Sequence, residues 1–139
     1  RLEVINLKDN ITLIDDSYNA SYDSVKVALE YMRNFEGNKI AVLGDILELG
    51  KESKRVHKKI GNLITDNNVD ELITIGKHSK YIARVAKKNG FKRKHIKHFK
   101  NERKSRSYVK ELLNKDSVIL IKGSNGINLI NLVKYLKGE

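Results

Sequence analysis

Four short stretches of this chain gather the residue types that handle charged and hydroxylated ligands. Asp15-Asp16-Ser17-Tyr18-Asn19 offers adjacent carboxylates, a hydroxyl and an amide. Gly44-Asp45-Ile46-Leu47-Glu48-Leu49-Gly50 sets two carboxylates between glycines. Gly76-Lys77-His78-Ser79 and Lys122-Gly123-Ser124-Asn125-Gly126 add cations and hydroxyls on flexible backbone. Carboxylates accept hydrogen bonds from hydroxyls and N–H groups, an amide donates and accepts, and lysine only donates. These chemistries suit recognition of a polar, charged small molecule. No Ser-His-Asp assignment follows from residue order alone.

Several known machines can be tested against these residues. A P-loop needs Gly-x-x-x-x-Gly-Lys-Ser/Thr, and the chain has none; it also lacks a Gly-x-Gly-x-x-Gly fingerprint. The Lys122–Gly126 loop can either contact an anion through backbone N–H groups or serve only as a strand-to-helix turn. His57, His78, His95 and His98 lack ligand spacing such as His-x-x-x-His, so no metal site is expected. Asp15-Asp16, Asp45 and Lys122 mimic the acidic pair, acceptor Asp and Lys of a phospho-receiver domain. Their spacing argues against it, because Asp45 comes one βα unit too early and Lys122 too late.

The elements that must position these loops follow from hydrophobic periodicity. Residues 2–7 and 11–15 predict two strands, joined by a tight turn at Lys8-Asp9-Asn10 into a hairpin. A helix is expected from Ser21, its N-cap, to about Phe35, with Val25, Ala28, Leu29 and Met32 on one face and Gly37 as its stop. Lys39–Leu43 reads as a buried parallel strand. Further helices are expected over 53–66, 79–89, 102–113 and 128–136, and further strands over 71–75, 95–99 and 117–121. The alternation predicts an α/β fold: a Rossmann-like, mostly parallel sheet, helices on both faces, and an N-terminal β-hairpin. In such sheets the loops after the strands form the functional edge, and all four stretches fall there.

Composition bounds the rest. At 139 residues the chain suits one domain with a real core. The absence of cysteine excludes disulfides and thiolate metal sites. No apolar run is long enough to span a bilayer, so no membrane association is expected. The chain starts at Arg1 rather than Met, as expected of a piece of a longer polypeptide. Lys and Arg number 28 against 17 Asp and Glu, a net charge of +11. The densest basic stretch runs from Lys92 to Lys100, followed by Arg103, Lys104 and Arg106. It is read as a lysine-rich solvated face rather than a dedicated nucleic-acid surface, since electrostatics alone is a weak signature.

The motifs themselves carry a family resemblance. Asp15-Asp16-Ser17-Tyr18-Asn19-Ala20, with Asp23-Ser24, resembles the Asp-Asp-Ser-Tyr-Asn-Ala-Asn-Pro-Asp-Ser of Mur ligases of the MurF type, which join D-Ala-D-Ala to UDP-N-acetylmuramoyl-tripeptide. Ile40–Gly50 resembles the family's Ile-Ala-Val-Leu-Gly-Asp-Met-Leu-Glu-Leu-Gly. His57 and Gly61 match a His-x-x-x-Gly pattern, Leu120–Ser124 resembles the late Leu-Lys-Gly-Ser, and Arg1-Leu2-Glu3 fits the opening of the family's C-terminal domain. The resemblance runs along residues 1–139 and concerns the last of three domains; the ATPase domain with its P-loop is not in this sequence.

The resemblance implies the lid domain of an ATP-dependent amide-forming ligase in cytoplasmic peptidoglycan precursor synthesis. It implies ATP and Mg²⁺ as cofactors, held mainly by the central domain, and ATP, D-Ala-D-Ala and the UDP-linked tripeptide as partners of a monomeric enzyme. No catalytic residue is expected in this domain, which alone should be inactive. Nucleotide contacts carry over to Arg1, Asp16 and Asn19. Asp45 and Glu48 would pair with the dipeptide amine, and Lys122 or Ser124 with a carboxylate. Two departures stand out: Ser21-Tyr22 replaces the family's Asn-Pro, and Asn125 replaces an Arg common after Lys-Gly-Ser. The alternatives are a basic α/β nucleic-acid-binding module, or the C-terminal domain of another Mur or folylpolyglutamate-synthase-type ligase.

Overall fold

A computed structural model of the chain describes residues 2–139. The strands are β1 (Glu3–Leu7), β2 (Ile11–Asp16), β3 (Lys39–Gly44), β4 (Glu71–Ile75), β5 (Ile96–Phe99) and β6 (Val118–Lys122). The helices are α1 (Tyr22–Arg33), α2 (Ser53–Asp66), α3 (Lys80–Lys88), α4 (Glu102–Leu112) and α5 (Leu129–Leu136). One sheet contains all six strands in the order β1-β2-β6-β3-β4-β5. Only β1 is antiparallel, paired with β2 as the expected hairpin. Its turn is a single 3-10 turn in which Asp9 and Asn10 adopt the left-handed conformation, with φ of 61° and 57°. Short polar side chains tolerate that region.

The core follows the pleat. Successive strand residues point to opposite faces, so Ala41 and Leu43 join one apolar cluster, and Ile40 and Val42 join the other. On the first face, α1 contributes Val25, Leu29 and Met32, α2 contributes Ile60 and Ile64, and α3 contributes Ile82 and Ala86. On the second face, α4 contributes Val109, and α5 contributes Leu129, Leu132 and Val133. Strands β3 and β6 lie in the middle of the sheet and are buried on both faces, which explains their continuous apolar runs.

Two local details matter for the site. Where the family has Asn-Pro, Ser21 caps α1 reciprocally: the Ser24 N–H donates to Ser21 Oγ at 3.1 Å, and the Ser21 N–H donates to Ser24 Oγ at 2.9 Å. This is a capping box in which Ser24 takes the place of the usual Glu. The basic stretch is divided among a 3-10 turn at Arg93–His95, the edge strand β5 and helix α4. Exposed Lys97 on that edge disfavours pairing with another strand.

Candidate functional site

The site lies at the carboxyl ends of the parallel strands. Strand β6 sits between β2 and β3, yet its following helix packs on the face opposite to α1 and α2. The loop leaving β6 is nevertheless bonded to both neighbours, Ser124 to the loop after β3 and Lys122 to the loop after β2, so the three loops converge at the end of β6. This is where open α/β sheets place their ligands. Register aligns the ends: Asp16 is opposite Lys122, Lys122 is opposite Leu43, and Gly44 is opposite Ile75. The four stretches thus meet along one edge.

At the β2/β6 end, Lys122 is only 2% exposed. Its Nζ donates to Asp16 Oδ2 at 2.7 Å and to the Asn19 carbonyl at 3.0 Å. One buried ammonium thus ties the strand end to the loop that follows it. Asp15 turns back on its own loop, accepting the Ser17 hydroxyl at 2.6 Å and the Ser17 N–H at 3.1 Å. The Asn19 side-chain oxygen accepts the Ala20 N–H at 2.9 Å. Beside them opens a concavity of about 580 Å³, walled by Leu2, Asp16, Asn19, Ala20, Val27 and Lys122. It combines apolar walls with a few convergent polar groups, as small-molecule sites do. Tyr18, in the same loop, is 68% exposed.

At the β3/β4 end, the Gly44–Gly50 loop is fastened at three successive residues. Asp45, 2% exposed, accepts the His78 N–H on both carboxylate oxygens at 3.0 Å and the Ser79 N–H at 2.7 Å. Its carboxylate thereby holds the two residues that lead into α3, whose own Ser79 side chain makes no cap. The Ile46 N–H donates to His57 Nε2 at 3.0 Å. The Leu47 N–H donates to Ser124 Oγ at 2.9 Å, and the Ser124 N–H donates to the Asp45 carbonyl at 3.0 Å. Glycines make room for this knot. Gly76 has φ +118°, and a Cβ there would come within 2.6 Å of the Asp45 carboxylate. A Cβ on Gly123 would come within 3.0 Å of the Gly44 backbone.

Glu48 is exposed at the loop tip with φ of 66°, beside Leu47, which is 37% exposed. His57 is fully buried, with Nδ1 2.7 Å from the Ser53 carbonyl and its ring stacked on His78 at 5.8 Å. Burial lowers its pKa from the ordinary imidazole value, and His78 adds to that. The Ser53 hydrogen bond and the Asp45 charge oppose it. His98, bonded to Thr74 Oγ1 at 2.8 Å, is also lowered by burial.

The expected residues therefore separate into two groups. Asp16, Asn19 and Lys122 converge on the concavity, while Asp45 and Ser124 converge in the knot and Glu48 stands at its tip. Lys122 and Asp45 face inward and hold backbone and side chains of this domain, not the solvent side expected of direct substrate contacts. Arg1, expected at the nucleotide, lies outside the described residues. His57 enters the site although its motif match gave it no role; the missed signal was a histidine four residues after Ser53, in the first turns of the helix that follows the loop. Among the described residues no cluster of three or more His, Asp or Glu is placed to hold a metal ion.

Residues 1–125 match the family described as Mur ligase, glutamate ligase domain. A UDP-N-acetylmuramoyl-tripeptide--D-alanyl-D-alanine ligase of Bacillus subtilis is 37% identical over 138 residues, which cover 98% of this chain and 30% of that protein. One of Buchnera aphidicola is 40% identical over 141 residues, covering 100% of this chain and 29% of that protein. This chain thus spans about 30% of the length of the curated relatives it matches. MurF of Acinetobacter baumannii superposes with a TM-score of 0.88 at 24% identity, over 100% of this chain and 30% of that one. MurF of Thermotoga maritima, solved with ADP, does so with 0.79 at 24% identity, over 99% of this chain and 30% of that one. At that identity the two structures establish the fold. With the Asp15–Asn19 and Gly44–Gly50 loops joined at one sheet edge, and the family match spanning most of the sequence, the chain belongs to the Mur ligase family and carries its glutamate ligase domain.

Proposed function

We propose that this chain is the C-terminal lid domain of a three-domain, cytoplasmic, monomeric ligase that joins D-Ala-D-Ala to UDP-N-acetylmuramoyl-tripeptide. One observation carries the reading: the Asp-Asp-Ser-Tyr-Asn loop and the Gly-Asp-Ile-Leu-Glu-Leu-Gly loop are held at one sheet edge by the Lys-Gly-Ser loop, through Lys122 to Asp16 and Ser124 to Leu47. In the reaction so proposed, the tripeptide's terminal carboxylate is phosphorylated with release of ADP. The dipeptide amine then attacks that acyl phosphate, the new amide forms, and inorganic phosphate leaves.

This domain's residues bind and shield rather than react. The concavity beside Asp16 and Asn19 has the mixed apolar and polar walls suited to a nucleoside: the Asn19 NH₂ is the donor, and Asp16, steadied by Lys122, is the acceptor for a ribose hydroxyl. Exposed Glu48 is the carboxylate placed to meet an incoming ammonium. Asp45 and Ser124 act one step back, by fixing the loop that carries Glu48. Closing such a lid excludes water, which would otherwise hydrolyse the acyl phosphate. In this reading Mg²⁺ is held mainly by the phosphates and the central domain; among the described residues no group of three or more His, Asp or Glu gathers to hold it.

The test is Asn19→Ala in the full-length enzyme. The expected result is a raised KM for ATP, with KM for D-Ala-D-Ala little changed. An unaltered KM for ATP would remove the nucleotide role from this loop.

A further inference from the structure

We propose that His57 is the positioning residue of the Gly44–Gly50 loop and a proton-operated catch on it, working only as the neutral imidazole that carries its hydrogen on Nδ1. The tautomer follows from the partners. The Ser53 carbonyl, 2.7 Å from Nδ1, can only accept, so Nδ1 must carry hydrogen. The Ile46 N–H, 3.0 Å from Nε2, can only donate, so Nε2 must present its lone pair. Two backbone groups leave the ring no other choice. Protonation would set an Nε2–H against the Ile46 N–H, donor against donor, in a place where the ring is 0% exposed and Ile46 4% exposed. A buried N–H without an acceptor is costly, so the loop must then move.

The fold makes this bond count. Asp45, Ile46 and Leu47 are tied in turn to the start of α3, to α2 and to the loop after β6. The middle tie is the one made to an imidazole, the side chain whose unperturbed charge change falls near neutral pH. Groups from each packed element set its balance. Ser53 faces it from α2, the Asp45 carboxylate from the loop itself, and the stacked His78 ring from the start of α3. Burial and His78 favour the neutral ring and Asp45 the charged one; the neutral ring prevails, which keeps the catch closed at neutral pH. Two residues beyond Ile46 stands Glu48, in the left-handed conformation at the tip. Releasing the Ile46 N–H therefore displaces the carboxylate that the proposed function assigns to the amine substrate. That last link rests on the proposed function; the catch itself does not.

Long-range ¹H–¹⁵N spectra of the 139-residue chain test the catch directly. The expected result is the Nδ1–H tautomer, and one midpoint below 6.5 shared by His57 and the amides of Ile46, Leu47 and Glu48 as pH falls. An Nε2–H tautomer, or loop amides that ignore the His57 titration, would overturn the proposal. Two variants separate the bonds. His57→Gln keeps an oxygen near the Nε2 position and should hold Ile46 without titrating. His57→Asn reaches only the Nδ1 position and should speed Ile46 amide exchange by roughly tenfold or more. Equal exchange in both variants would also overturn it.

In the full-length enzyme, KM for the amine substrate should rise as pH falls through that midpoint, with kcat changing less, and His57→Gln should flatten the rise. If the spectra behave as expected and this KM stays flat, His57 remains the loop's catch. The assignment of the loop to the amine substrate then fails.

Discussion

Replacing Asp45 by Ala should damage the domain before it damages any substrate contact. The carboxylate is 2% exposed and accepts the N–H groups of His78 and Ser79 at 3.0 and 2.7 Å. Ser79 is fully buried, so water cannot replace the lost acceptor there, whereas half-buried His78 can recruit some. Leaving a buried donor unsatisfied costs about 1–3 kcal/mol. Asp45→Ala should therefore cost about 1–3 kcal/mol of unfolding free energy, and Asp45→Asn, which keeps one acceptor oxygen, about half of that. Urea unfolding at pH 7.5 reads this as a lowered midpoint with an unchanged m-value. A loss under about 0.5 kcal/mol for Asp45→Ala would refute the structural role of these bonds, since surface substitutions fall in that range. The Asn variant separates two roles in the full-length enzyme. Full stability combined with weakened D-Ala-D-Ala binding would make Asp45 a substrate contact instead.

Other perturbations have equally definite outcomes. Lys122→Met removes a buried ammonium from Asp16 and from the Asn19 carbonyl, and should cost about 3–5 kcal/mol; a double-mutant cycle with Asp16→Asn should show positive coupling, and strict additivity would deny the pairing. Stability should also depend on pH through His57. Its folded pKa lies below the unfolded value of 6.5, so the unfolded chain binds more protons in the window between them. Its contribution is complete above 6.5 and is lost as pH falls towards the folded value, and thermal melts of His57→Gln should lack that part of the slope. Ser79→Ala deletes a buried hydroxyl that has no hydrogen-bond partner among the described residues. It should leave stability unchanged or raise it by up to about 1 kcal/mol, and a clear loss in the same melts would reveal a partner for the hydroxyl.

Periodicity made most elements readable in advance, because their faces are set locally. Helix α2 (Ser53–Asp66) and β4 (Glu71–Ile75) fall where the apolar spacing places them. Ser21 proves to be the N-cap of α1, and the hairpin forms where the two short strands predict it. The strand order was not readable. Nothing local says that β6, from the end of the chain, inserts between β2 and β3. That insertion decides the partner of Lys122, which sits between two strand ends, 106 residues from Asp16. The partners of Asp45 were equally hidden: the N–H groups it accepts precede a helix more than thirty residues later. His57 could be matched to a motif, but its duty to the Ile46 N–H emerges only when α2 folds back under the loop. Sequence thus indicated which loops share one sheet edge, while tertiary pairing decided which of their charges face inward.

Turnover of the full-length enzyme proposed to contain this domain decides whether it is a D-Ala-D-Ala-adding ligase. With UDP-N-acetylmuramoyl-tripeptide, ATP and Mg²⁺ present, ADP release should require D-Ala-D-Ala, yield the tripeptide extended by that dipeptide, and be absent with the 139-residue chain alone. ADP release driven by a different amino acid but not by D-Ala-D-Ala, or turnover by the isolated chain, would contradict it.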